Sequence, residues 1–161
     1  MDGTITDSKE FYNRTLYPFF QRIRPDITYE EVVAAIGSSA TATFRNFGIP
    51  EEQMVEFEKL FIEYYEGEAR EEIRTIPIQS DTKHVLEKCH KKGYKTALLT
   101  NSMIPVAEAV IEFNDLTGLF DVCSANNYGD YRKELRVESM LKELGISKNE
   151  TVCIGDSEYD F

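Results

Sequence analysis

Residues 81–100 read DTKHVLEKCHKKGYKTALLT. The stretch 81–93 has the pattern of a helix, with Val85, Leu86 and Cys89 on an inner face and Gly93 as the stop. "YKTALLT" (94–100) then gives a short apolar run that reads as a buried strand. The same alternation continues downstream. Pro105 marks a helix start, with Val106, Ala109, Val110 and Phe113 facing inward. "LFDVCSA" (119–125) is a second strand, and residues 133–144 form a helix through Val137, Met140, Leu141 and Leu144, stopped by Gly145. "TVCI" (151–154) is a third strand. Strands alternating with helices predict an α/β fold, a doubly wound, Rossmann-like parallel sheet covered on both faces.

Upstream the pattern is different. Residues 8–72 read as helix throughout. Tyr12, Leu16, Phe19, Phe20 and Ile23 share a helical spacing, and Pro18 is expected to kink or break that element. "TYEEVVAAIG" (28–37) opens on a Thr cap, and "ATATFRNFG" (40–48) is a shorter helix. In residues 51–66, Met54, Phe57, Phe61 and Tyr64 form one face and the other is mostly Glu. "IRTIPIQS" (73–80) has no helical period and reads as a linker. The expected organisation is an α/β core made of residues 1–7 and 76–161, with a helical unit inserted at 8–75.

Composition excludes several classes. A chain of 161 residues with 42% hydrophobic residues can bury a core. A net charge of −11 argues against nucleic acid and against an anionic membrane surface as partners. Cys89, Cys123 and Cys153 lack metal-site or CxxC spacing and read as reduced thiols, which points to the cytoplasm.

Ligands of a doubly wound sheet bind at the carboxyl ends of its strands. Thr100, Asn101 and Ser102 follow one strand, and Asp156 and Asp160 follow another, in "CIGDSEYD". "MDGTITDS" (1–8) adds Asp2. Hydroxyls and an amide beside clustered carboxylates suit an oxyanion together with a hard cation such as Mg²⁺.

These stretches resemble the motifs of the haloacid dehalogenase superfamily, in the branch with a helical cap of the phosphoglycolate phosphatase and β-phosphoglucomutase type. "MDGTITDS" matches the DxDGT motif from its x onward, "TALLTNS" the second motif, and "VCIGDSEYD" the GDSxxD motif. The resemblance implies a phosphomonoester hydrolase that uses Mg²⁺ and an aspartyl-phosphate intermediate, acting on a small phosphorylated metabolite. It implies that Asp2 is the general acid/base and lends its carbonyl to the metal. Thr100 and Asn101 would hold the phosphoryl oxygens, with the backbone of Ser102 helping. Lys133 would neutralise charge, with Arg132 as the alternative. Asp156 would ligate the metal, and Asp160 would be a further or outer ligand. Gly3 and Thr4 would shape the turn into the cap.

The family's nucleophile is the first Asp of DxDGT, which would stand directly before Met1. The expectation is therefore a fragment, truncated at both ends and inactive as it stands. A phosphomutase or phosphonate hydrolase of the same fold is the near alternative. A phospho-accepting receiver module is disfavoured by the long helical insertion between Asp2 and Thr100. His84 and His90 are expected to be solvated. Gly37, Ser38 and Arg45 are assigned to cap structure, and Phe57, Phe61 and Tyr64 to cap core.

Overall fold

A computed structural model describes residues 1–36, 39–126 and 133–156. The helical region begins with α1 (Lys9–Ile23), which buries Phe11, Leu16, Phe19 and Phe20. Pro18 lies inside α1 without ending it. It is exposed, as is Arg14 one turn earlier. α2 (Tyr29–Ala35) opens on a full capping box between Thr28 and Glu31. α3 (Ala40–Asn46) is capped by the Ser39 side chain. A single 3-10 turn at Glu51–Gln53 leads into α4 (Met54–Glu66), and α5 (Arg70–Ile73) follows.

Aromatic rings fill the space between these helices. Phe44 is fully buried, and its ring centroid lies 5.3 Å from that of Phe61 and 6.0 Å from that of Phe20. Tyr65 is buried with its hydroxyl 2.8 Å from Thr15 Oγ1, which satisfies an otherwise costly polar group. The α4 glutamates are not all solvated, because Glu58 is buried and accepts a 2.5 Å hydrogen bond from Thr41 Oγ1. The stretch read as a linker is ordered by apolar anchors. Ile73 and Ile76 are buried, and Thr6 bridges to Ile78 in antiparallel fashion. Asp7 N donates to Pro77 O at 2.9 Å and Gln79 N to Ile5 O at 2.8 Å, so the segments entering and leaving the helical region are fastened together.

The α/β part runs through α6 (Thr82–Lys91), β1 (Ala97–Met103), α7 (Ile104–Phe113), β2 (Val122–Asn126) and α8 (Lys133–Leu144). β1 and β2 pair in parallel, with Leu99 opposite Ser124 and Met103 opposite Asn126. Between those two pairs β1 advances four residues while β2 advances two, so the ladder is interrupted at Thr100–Ser102. α7 packs on both parts of the molecule. Val106, Ala109 and Val110 join the apolar cluster of the helical region, and the Arg74 guanidinium lies 3.8 Å from the centre of the Phe113 ring.

Three expectations change here. "TVCI" is not a strand: residues 151–155 have no regular structure, and Val152 and Ile154 are 84% and 78% exposed. A strand needs a neighbouring backbone to satisfy its polar groups, and β1 and β2 are the only paired strands among the described residues. α6 has no buried residue, and its Val85 is half exposed, so the expected inner face is open. His84 is exposed as expected, but His90 is held: its Nε2 lies 2.8 Å from Thr96 Oγ1 and 3.5 Å from Asp121 Oδ2.

Asp121 organises this corner. It accepts 2.8 Å hydrogen bonds from Lys95 Nζ and from Thr96 N, and these hold its carboxyl below the usual carboxylate range. A depressed pKa contributes stability that is present above the unfolded value and is lost as pH falls through the folded one. Asp121→Asn is therefore expected to lower the melting temperature by about 3 °C near neutral pH. The difference should close once both proteins are below the carboxylate range. Thermal unfolding across pH 2–7 checks this, and a gap that persists at the acid end would contradict it. Among the described residues no helix is long and apolar enough to cross a membrane.

Candidate active site

The first eight residues form a tight turn. Met1 O accepts from Ile5 N at 2.8 Å, and Gly3 N donates to Thr6 O at 2.8 Å. Gly3 has φ +75°, and a Cβ there would stand 2.0 Å from Asp156 Oδ2. Thr4 Oγ1 donates to Asp156 Oδ1 at 2.8 Å. The absence of a side chain at Gly3 and the hydroxyl of Thr4 together bring the Asp156 carboxylate onto the turn that carries Asp2.

Asp2 is held from two sides. Ser8 Oγ donates to its Oδ1 at 2.6 Å, and Ser102 Oγ donates to its Oδ2. Thr100 is buried, donates to Ser102 Oγ at 3.1 Å and accepts from Ser102 N at 3.0 Å. A hydroxyl chain therefore runs from β1 to the Asp2 carboxylate. The Tyr12 hydroxyl lies 3.4 Å from Ser102 Oγ. Burial, and then the nearby Asp2 charge, push the Tyr12 phenol well above its ordinary pKa, so it stays protonated.

These groups open onto a cavity of about 790 Å³. Asp2, Thr100, Asn101, Lys133 and Asp156 all line it. Helices α1, α3 and α4 supply Tyr12, Thr43, Asn46 and Phe61 to its wall. Phe61 thus serves core and cavity together, whereas Phe57 and Tyr64 pack against the apolar cluster and do not line the cavity. Arg45 is outside the lining and pairs with Glu51 at 2.5 Å. Gly37, Ser38, Arg132 and Asp160 lie outside the described residues.

The donor chemistry fits a hard cation. Asp2 and Asp156 supply carboxylates to one cavity, and Ser8, Thr100, Asn101 and Ser102 add further oxygen atoms to its lining. Among the described residues no cluster of three acidic, His or Cys side chains forms a closed cage.

Four participants were not legible from motifs. Ser8 sits at the N-cap of α1, yet its side chain makes no cap bond and turns to Asp2. Tyr12 reads as helix core, although its spacing of four from Ser8 puts both on one side of α1. The Ser102 hydroxyl, and not only its backbone, reaches Asp2. Arg136, on α8, is 8% exposed and contacts Thr100, Asn101 and Ser124. A lone Arg at helical spacing with Met140 was the available signal.

Acidic and hydroxyl groups are gathered where parallel strands end, facing a helical array, the place where α/β folds bind their ligands. The chain belongs to the haloacid dehalogenase-like hydrolase family, whose profile matches residues 1–161. It is 26% identical over 164 residues to a candidate pyrophosphatase, PpaX, of Caldanaerobacter subterraneus subsp. tengcongensis, covering 99% of this chain and 72% of that protein. It is 25% identical over 173 residues to a phosphoglycolate phosphatase of Aliivibrio fischeri, covering 99% of this chain and 74% of that protein. The fold is shared with a predicted phosphatase from Clostridium acetobutylicum at TM-score 0.82 and 18% identity, covering 99% of this chain and 74% of that one.

Proposed function

We propose that this chain carries the site of a Mg²⁺-dependent phosphomonoester hydrolase that works through an aspartyl phosphate on a small phosphorylated metabolite. The observation that carries the reading is the convergence of Asp2, Thr100, Asn101, Lys133 and Asp156 on one cavity. The relatives named as a phosphoglycolate phosphatase and a candidate pyrophosphatase act in the same direction.

In this reading Asp2 is the general acid/base, held in one orientation by Ser8 and Ser102. The DxDGT pattern puts its nucleophilic carboxylate at the position directly before Met1, and in this reading the covalent step is made by that group. Thr100 and Asn101 bind the phosphoryl oxygens with help from the Ser102 backbone, and Lys133 offsets their charge. Asp156 and the Asp2 carbonyl would hold Mg²⁺, with Asp160 as an outer or alternate ligand, and the ion would supply charge stabilisation for the phosphoryl group. Residues 8–75 act as a cap that closes the cavity from water, over a core of residues 1–7 and 76–161. The free, exposed thiol of Cys123 fits a reducing cytoplasm.

The test is direct. Isothermal titration of residues 1–161 with inorganic phosphate should show binding that depends on Mg²⁺ and disappears with EDTA. Phosphate binding that is indifferent to EDTA would contradict the reading.

A further inference from the structure

We propose that Arg136 is a positioning residue that fixes the Thr100–Ser102 loop and sets Asn101 with its amide NH₂ available to an anion in the cavity. The inference rests on the reading of that cavity as a phosphate site.

The register of the sheet raises the need. Where β1 advances four residues against two of β2, the ladder cannot pair the intervening backbone groups, and carbonyls at that break need other donors. Arg136 supplies them. Its NH2 group donates to Thr100 O at 2.7 Å and also to Ser124 O, and its Nε donates to Ser124 Oγ at 2.9 Å. One guanidinium thus spans the ends of both strands at the interruption. A planar fork with donors in several directions can do this, whereas a lysine ammonium is a point charge and cannot reach all three acceptors with the same geometry.

The fourth bond carries the functional consequence. Arg136 NH1 donates to Asn101 Oδ1 at 3.2 Å. Arginine has only donors, so Asn101 must present its oxygen to it. The Nδ2 end of the carboxamide is then the end free to serve the cavity, which Asn101 lines. An amide turned the other way would present an oxygen to a phosphate and repel it. Arg136 itself is not among the cavity-lining residues, so its effect passes through Asn101 and the loop backbone.

The experiment measures binding of inorganic phosphate with Mg²⁺ to residues 1–161, to Arg136→Lys and to Asn101→Asp, with thermal unfolding of each without ligand. Arg136→Lys should bind phosphate about tenfold more weakly while still melting cooperatively, since a charged, buried hydrogen-bond network is loosened. Asn101→Asp keeps an oxygen acceptor for Arg136, so its melting temperature should hold while phosphate binding falls by at least about tenfold. Phosphate should shift the side-chain NH₂ resonance of Asn101 in the parent protein and leave it unmoved in Arg136→Lys. Equal phosphate affinity in parent and Arg136→Lys would overturn the proposal, as would an Asn101 NH₂ signal insensitive to phosphate in a parent that binds it. A parent that binds no phosphate at all would overturn the underlying site reading and this inference with it. If Arg136→Lys does not fold, the Asn101→Asp affinity and the parent resonance decide.

Discussion

Asp156→Asn is expected to weaken Mg²⁺ binding by at least about 100-fold while leaving the fold intact. The local geometry explains both halves. Asp156 is exposed, with no regular structure in residues 151–155 before it, so removing one charge disturbs no core. Its oxygens sit against Gly3 and accept from Thr4, within the cavity that also holds Asp2. Asparagine preserves the acceptor for Thr4 but replaces a carboxylate oxygen with an NH₂, which cannot ligate a cation. Calorimetric titration with Mg²⁺, beside a thermal melt, checks this. Undiminished Mg²⁺ binding by the variant would remove Asp156 from the metal site.

Phe44→Ala is expected to cost about 3–5 kcal/mol of stability, a large part of the roughly 5–15 kcal/mol available to a domain. Phe44 is fully buried on α3, a helix of only seven residues that has little intrinsic stability. Its ring meets Phe19, Phe20, Phe57 and Phe61, so its removal leaves a cavity bounded by rigid rings that cannot collapse into it. Phe44 also lines the large cavity, so the loss opens the wall of the site. Denaturant unfolding of the pair measures the effect. A loss below about 1 kcal/mol would mean that α3 is not docked as described.

Helix period made most elements legible, because the buried faces of α1, α4 and α7 are mainly apolar, interrupted by Thr15 on α1 and Glu58 on α4. The clusters at 100–102 and 156–160 were legible because each follows an apolar run, and the one at 1–8 because it matches the DxDGT pattern. "TVCI" misled because an apolar run reports the capacity to be a strand, while pairing depends on a neighbour that sequence pattern does not show. Of the two outcomes expected at Pro18, a kink or a break, the break does not occur, since α1 continues through it to Ile23. The clamp on Asp2 was hidden for another reason. Ser8, Tyr12 and Ser102 are ordinary capping, core and loop residues by type, and only the closure of α1 against the end of β1 turns their hydroxyls onto one carboxylate. The same holds for Arg136, whose partners come from two strands.

The most direct measurement is a paired one. Residues 1–161 and the same chain preceded by an apolar strand that ends in Asp directly before Met1 are assayed for hydrolysis of p-nitrophenyl phosphate with Mg²⁺ and with EDTA. With Asp2 as acid/base and Asp156 on the metal, the longer protein should hydrolyse the ester and lose that activity in EDTA. Residues 1–161 should be slower by at least about a thousandfold, the scale on which loss of a nucleophile acts. Equal rates for the two proteins, or activity of the longer one that survives EDTA, would contradict Mg²⁺-dependent phosphoryl transfer at this site.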